Sequence, residues 1–214
     1  MDEAAVARRL AQLRNTVARG ATRGPVTLCA VTKGFGDDAV RVVHRLGCDA
    51  VGENYAQEAI AKIAACGAEH PPVHFIGRLQ SNKIRSLVRV VDVWQSIDRP
   101  ALIDELAKRA PGAHIYVQVN ATGEADKGGC SVADTEALVD QARNAGLQVD
   151  GLMTVGPTTA DPGATRRAFV TVRTLADQLD LQGCSMGMSG DLEIALAEGT
   201  TLVRVGTALF GERP

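Results

Sequence analysis

The feature that most constrains this chain is an alternation repeated along its length: a short apolar run, a break, then an amphipathic helical pattern. The runs begin near residues 27, 50, 73, 91, 114, 147, 184 and 202, at intervals of 23, 23, 18, 23, 33, 37 and 18. Such intervals fit one strand, one helix and short loops per unit. Strands buried on both faces read as continuous apolar runs, and parallel strands need a helical crossover. Eight such units predict an α/β fold, a single (β/α)8 barrel of TIM type. The alternative is an open doubly wound sheet, but eight strands of similar character with no evident edge strand favour closure.

The pattern over residues 2–19 predicts a first helix with Val6, Leu10, Leu13 and Val17 on one face. The last apolar stretch, Leu202 to Phe210, reads as a strand, and the sequence stops four residues later. The eighth helix is therefore expected to be missing, with the N-terminal helix filling its place between the last strand and the first. No linker, low-complexity run or charge block marks a boundary, so residues 1–214 are expected to form one domain.

Aromatics make up only 3% of the residues and small apolar side chains are abundant, which suits helices packed tightly on a sheet. The formal net charge of −2 gives no general attraction for nucleic acid or an anionic membrane, so any anion site must be local. No stretch approaches the roughly 18 apolar residues of a membrane span. The segment Met1 to Gly20 is charged and amphipathic, without the apolar core of a signal peptide. Cys29, Cys48, Cys66, Cys130 and Cys184 are odd in number, scattered and without a CxxC pair. They read as free thiols in a reducing cytoplasm rather than as disulfides or metal ligands.

The chemistry starts at Thr27-Leu-Cys-Ala-Val-Thr-Lys33-Gly34. An apolar strand ends there on a lysine, and ligands of parallel β/α folds sit at the carboxyl ends of strands. Burial disfavours the ammonium form, and a neutral amine can form a Schiff base with an aldehyde. On this stretch alone, a lysine snorkelling at a strand edge remains the favoured reading.

Other polar residues gather where strands stop: Glu53 and Asn54, His74, Ser96, Asn120, Thr154 beside Met153, Ser189 and Arg204. Asn54, Ser96 and Asn120 could each serve as ordinary caps. Their convergence in a barrel, not any one member, is the signal. Ser185-Met-Gly-Met-Ser189-Gly190-Asp191 leads into a helix whose amino end would favour phosphate. Gly206-Thr207, placed within the last strand-like stretch, is a second candidate, since barrels often bind phosphate after strands seven and eight. Arg204 can only donate hydrogen bonds. It could face a heteroaromatic nitrogen and keep it unprotonated, or pair with a rim carboxylate such as Glu53 or Asp191.

Taken in order, these motifs resemble a known family. Ala30-Val-Thr-Lys33, Gly52-Glu-Asn-Tyr55, His74-Phe-Ile-Gly77, Leu79-Gln-Ser-Asn-Lys83, Ser96-Ile-Asp98 and Gly151-Leu-Met153 are followed by Ser185-Met-Gly-Met-Ser189 and Val203-Arg-Val-Gly-Thr207. The combination is similar to the pyridoxal phosphate homeostasis proteins, from about Leu28 to Gly211. The resemblance implies a barrel like the N-terminal domain of alanine racemase, with pyridoxal 5′-phosphate (PLP) held as an internal aldimine on Lys33. It implies Ser189, Gly190, Gly206 and Thr207 around the phosphate, Arg204 at the pyridine nitrogen, and Asn54 and Met153 near the ring. Thr200 stands where the family often has serine, keeping the hydroxyl.

Two functions then compete. The resemblance implies a PLP carrier, buffer or regulator with no established reaction; a monomer whose partners are PLP and apo PLP enzymes is expected. The alternative is a small PLP-dependent amino-acid racemase. That would need a second base opposite the lysine, and the chain has only Tyr55 and Tyr116 as tyrosine candidates. An arginine at the ring nitrogen also weakens the cofactor as an electron sink, which counts against a transaminase or a decarboxylase, though racemases tolerate it.

Overall fold

The computed structural model describes residues 1–159 and 161–212. Eight parallel strands close on themselves in sequence order. They are β1 (Thr27–Val31), β2 (Ala50–Glu53), β3 (Val73–Phe75), β4 (Val93–Ile97), β5 (His114–Gln118), β6 (Gln148–Met153), β7 (Gly183–Ser185) and β8 (Leu202–Val205). The helices are α1 (Glu3–Gly20), α2 (Asp37–Arg45), α3 (Ala56–Cys66), α4 (Ser81–Leu87), α5 (Pro100–Arg109), α6 (Thr135–Asn144), α7 (Pro162–Gln178), α8 (Leu192–Ala197) and α9 (Thr207–Phe210). The barrel predicted from the spacing of apolar runs is the one observed.

Closure follows from burial. Strand residues of one parity meet the helices: Leu28, Ala30, Val51, Val73, Val203 and Val205 pack with α1 to α3. Phe75, Trp94, Ile115, Val117, Leu152 and Cys184 pack with the helices further round. Cys29, Ala50, Tyr116, Met153 and Leu202 have the opposite parity and form the apolar part of the lumen. A sheet apolar on both faces has no side to give to water, so it closes and is wrapped.

α1 buries Val6, Leu10, Leu13 and Val17, as its spacing predicts, and packs against α2, α8 and α9. It thus fills the gap between the last and first β/α units. The end of the chain differs from expectation. β8 stops at Val205, Gly206 caps a single helical turn, and Thr207 lies in α9 rather than in a strand. Leu209 and Phe210 keep their apolar character because this turn also packs inward. A four-residue turn and a strand of the same composition read alike in sequence.

All five cysteines are free. Among the described residues no helix is long and apolar enough to cross a membrane, and no group of three or more His, Cys, Asp or Glu side chains could hold a metal ion.

Candidate functional site

Lys33 stands two residues beyond β1, half-buried, in a turn that Gly34 makes possible with φ of 76°. The turn is held from below. Thr32 donates its amide to the Gly52 carbonyl and its hydroxyl to Glu53 Oε1, at 3.1 and 2.6 Å. Lys62 of α3 donates to the Thr32 carbonyl (2.8 Å), Glu53 Oε1 (2.9 Å) and Glu58 Oε2 (3.1 Å). Glu58 in turn accepts the Gly34 amide at 3.0 Å. Burial pushes the Glu53 carboxyl upward in pKa, against the hydrogen bonds from Thr32 and Lys62. This cluster fixes the backbone from which Lys33 projects.

Arg204 projects from β8 into the lumen and is only 4% exposed. It donates to Ser185 Oγ and, at 2.7 Å, to the Thr154 carbonyl just beyond Met153. Among the described residues it has no carboxylate partner. Glu53 is engaged by Thr32 and Lys62, and Asp191 accepts the Met188 amide. The rim ion pair left open by the sequence is therefore not formed. Burial lowers the guanidinium's pKa, and the charge on Asp191 works in the other direction. A buried cation with no carboxylate partner among the described residues is suited to meet an electron-rich group.

The two phosphate candidates meet. Ser189 Oγ accepts the backbone amide of Ala208 at 3.1 Å, which ties the loop after β7, with Gly190, to the Gly206-Thr207 turn. Ser189, Gly190 and Thr207 are exposed at this junction. Gly206 abuts the end of β1, since a Cβ there would lie 3.5 Å from Val31, two residues before Lys33. Met153 is buried at the end of β6, in register with Ser185.

Asn54 and Ser96 are not caps. α3 begins at Ala56, with Tyr55 rather than Asn54 as its N-cap residue and no side-chain capping bond. Asn54 Oδ1 and Ser96 Oγ are buried without a hydrogen-bond partner. Gly77 holds the Asn54 backbone close, because a Cβ there would fall 2.0 Å from the Asn54 carbonyl oxygen. Asn120 organises its own loop, accepting from Thr122 and Gly123 and donating to the Glu124 carbonyl. Lys127 of that loop is tied to Glu124 and to the Gly156 carbonyl.

Some of the site was not read from the sequence. Gln95 is fully buried and joins His74 to Ser185, with Nε2 2.6 Å from His74 Nδ1 and Oε1 2.7 Å from Ser185 Oγ. The signal was an amide side chain beside Ser96 inside an otherwise apolar strand. Arg78, Leu79, Gln80, Asp98 and Arg99 also line a cleft of about 660 Å³ at the ends of β3 and β4.

A closed parallel barrel presenting a lysine after its first strand and a buried arginine on its last falls in one class of barrels. Residues 1–214 match the family model for the alanine racemase N-terminal domain. The pyridoxal phosphate homeostasis protein of Pseudomonas aeruginosa is 40% identical over 97% of this chain and 94% of its own. That of Aquifex aeolicus is 38% identical over 87% and 86%. PipY of Synechococcus elongatus, solved with PLP bound, superimposes with a TM-score of 0.85 at 34% identity, covering 96% of this chain and all of its own. Alanine racemase of Corynebacterium glutamicum shares the fold, with a TM-score of 0.79 at 19% identity over 98% of this chain and 62% of its own. The chain belongs to the pyridoxal phosphate homeostasis protein family.

Proposed function

We propose that this chain is a PLP-binding barrel over its whole length, 1–214, which holds the cofactor on Lys33 and serves PLP homeostasis as a carrier or buffer rather than as a catalyst. The observation that carries the reading is Arg204, a buried guanidinium without a carboxylate partner, anchored on the strand beside that of Lys33. The residues fit the cofactor: the Asn54 Oδ1 atom lacks a partner, and the Ser189–Gly206–Thr207 junction brings exposed polar groups beside the end of β1. Lys33 would hold the cofactor through its side-chain amine, the group suited to an aldehyde. Ser189, Gly190, Gly206 and Thr207 receive the phosphate, Arg204 faces the pyridine nitrogen, and Asn54 and Met153 lie near the ring. The homeostasis proteins and PLP-bound PipY among its relatives support this assignment.

Bound PLP supplies an electron sink for amino-acid chemistry, and this chain's own residues do little to exploit it. Tyr116 points into the lumen and its ring lies against Gly183, at the entry end of β7, while Tyr55 is 58% exposed. Neither is placed as a base opposite Lys33, which supports the carrier over the racemase. We further propose a monomer that works in the cytoplasm and gives its cofactor to apo PLP enzymes.

The visible spectrum of the purified protein, before and after borohydride, tests the reading. A yellow protein that borohydride bleaches, with the reduced cofactor on the Lys33 peptide, is expected. Attachment at another lysine alone refutes it.

A further inference from the structure

Behind Arg204 lies a continuous buried chain of side chains. Arg204 donates to Ser185 Oγ, Ser185 donates to Gln95 Oε1, and Gln95 Nε2 faces His74 Nδ1. None of the four is more than 7% exposed. They come from β8, β7, β4 and β3, so the chain crosses the lumen. We infer that Gln95 is the positioning residue for Arg204, the middle link of a one-way relay that fixes both the guanidinium and the tautomer of His74. The inference rests on the assignment of Arg204 to the ligand site.

The direction follows from donor counting. A guanidinium has no acceptor, so the Ser185 oxygen must accept from it. Ser185 has one proton, and its other close partner is the amide oxygen of Gln95. That orientation leaves the NH2 of Gln95 toward His74, so Nδ1 must be the acceptor. His74 is then neutral, with its proton on Nε2. The opposite arrangement, a flipped Gln95 amide that donates to Ser185 and accepts from an Nδ1–H of His74, would deprive the buried Ser185 hydroxyl proton of its acceptor.

The backbone shows how Gln95 came to be there. The register of β4 against β5 shifts between Trp94 and Ile97. Trp94 and Ile97, three residues apart, both pack outward in the same cluster. Alternation after Trp94 turns Gln95 into the lumen, and the irregularity that follows lets Ile97 face outward again; bulges re-aim side chains in this way.

The relay has a consequence for the ligand. Every proton in it points away from Arg204 toward His74. It can hold the guanidinium still, and it has no proton to pass forward. A ring nitrogen facing Arg204 therefore receives a hydrogen bond from a group that keeps its proton.

The test begins with the protein free of cofactor. Nitrogen-15 NMR of labelled histidine should show His74 as the Nε2–H tautomer, with Nδ1 an acceptor. Gln95→Glu keeps an acceptor for Ser185 but removes the donor to His74, so His74 should switch to Nδ1–H. Gln95→Leu breaks the chain. It should speed rotation of the Arg204 guanidinium in the apo-protein, weaken PLP about tenfold, and make the spectrum of the bound cofactor depend on pH where the wild type's does not. An Nδ1–H tautomer in the wild type overturns the relay without any folding question. So does a folded Gln95→Leu protein with unchanged Arg204 dynamics, affinity and spectrum. A wild type that takes up no PLP would instead sink the functional assignment, while the tautomer still judges the relay.

Discussion

Lys62 Nζ lies 2.9 Å from Glu53 Oε1, and the same ammonium reaches the carbonyl of Thr32, the residue before Lys33. Both side chains are buried, Glu53 completely. The pair therefore belongs to the support of the candidate cofactor lysine. Removing one partner of a buried pair strands the other charge, which costs about 3–5 kcal/mol. Lys62→Met should destabilise the barrel by that order in urea unfolding. Adding Glu53→Gln should recover a large part, because no buried charge is then left unpaired. A single mutant as stable as the wild type would show that the pair is not a support.

Ser189 joins the loop after β7 to the turn after β8 through Ala208. If this junction receives the phosphate, pyridoxal without its phosphate should bind much more weakly than PLP. A hydrogen bond to a charged group contributes roughly 1.5–3 kcal/mol. Ser189→Ala should thus lower PLP affinity about tenfold or more, measured by fluorescence titration. Equal affinity for pyridoxal and PLP would refute the phosphate site.

His74 makes stability depend on pH in a defined window. Burial holds its pKa at about 4, below the ordinary 6.5, while the nearby Asp92 carboxylate acts weakly the other way. Between these values the unfolded chain binds a proton that the folded chain refuses. Stability therefore falls as pH drops from 6.5 toward 4, by up to about 3 kcal/mol from this group. The acceptor role of Nδ1 toward Gln95 opposes protonation in the same sense. The difference in unfolding free energy between the wild type and His74→Gln should shrink over that window. A constant difference would place the His74 pKa near its ordinary value.

Much of this molecule was legible because its strands are buried on both faces. The apolar runs stand out, and the lysine that ends the first one is the first charge after a stretch without any. α1 was legible from Val6, Leu10, Leu13 and Val17. What failed to show depends on three-dimensional partners. Gly206-Thr207 read as strand because Leu209 and Phe210 are buried by the packing of α9 against α1, not by a sheet. Capping stayed open for Asn54 and Ser96 because their residue types suit it, and only their burial without a partner among the described residues removes it. Gln95 gave almost no signal, since its role follows from His74 and from Ser185, ninety positions away.

Arg204 separates the carrier from the enzyme. Its guanidinium is held at Ser185 and Thr154, and arginine keeps its protons. Facing a pyridine nitrogen, it stabilises the unprotonated ring, and the ring is then a poor sink for electrons. Of the two tyrosines, Tyr116 is packed against Gly183 in the lumen and Tyr55 is exposed. Incubated with alanine or other amino acids in deuterated water, the PLP-loaded protein should incorporate negligible deuterium at Cα over hours, read by mass spectrometry. Arg204→Glu should shift the cofactor's absorption, because a carboxylate there permits ring protonation, at some cost in affinity. Turnover on the order of 1–10³ per second by the wild type would return this chain to the racemases. A slow exchange that vanishes in Lys33→Ala is the background of any lysine-bound PLP, and it leaves the carrier reading in place.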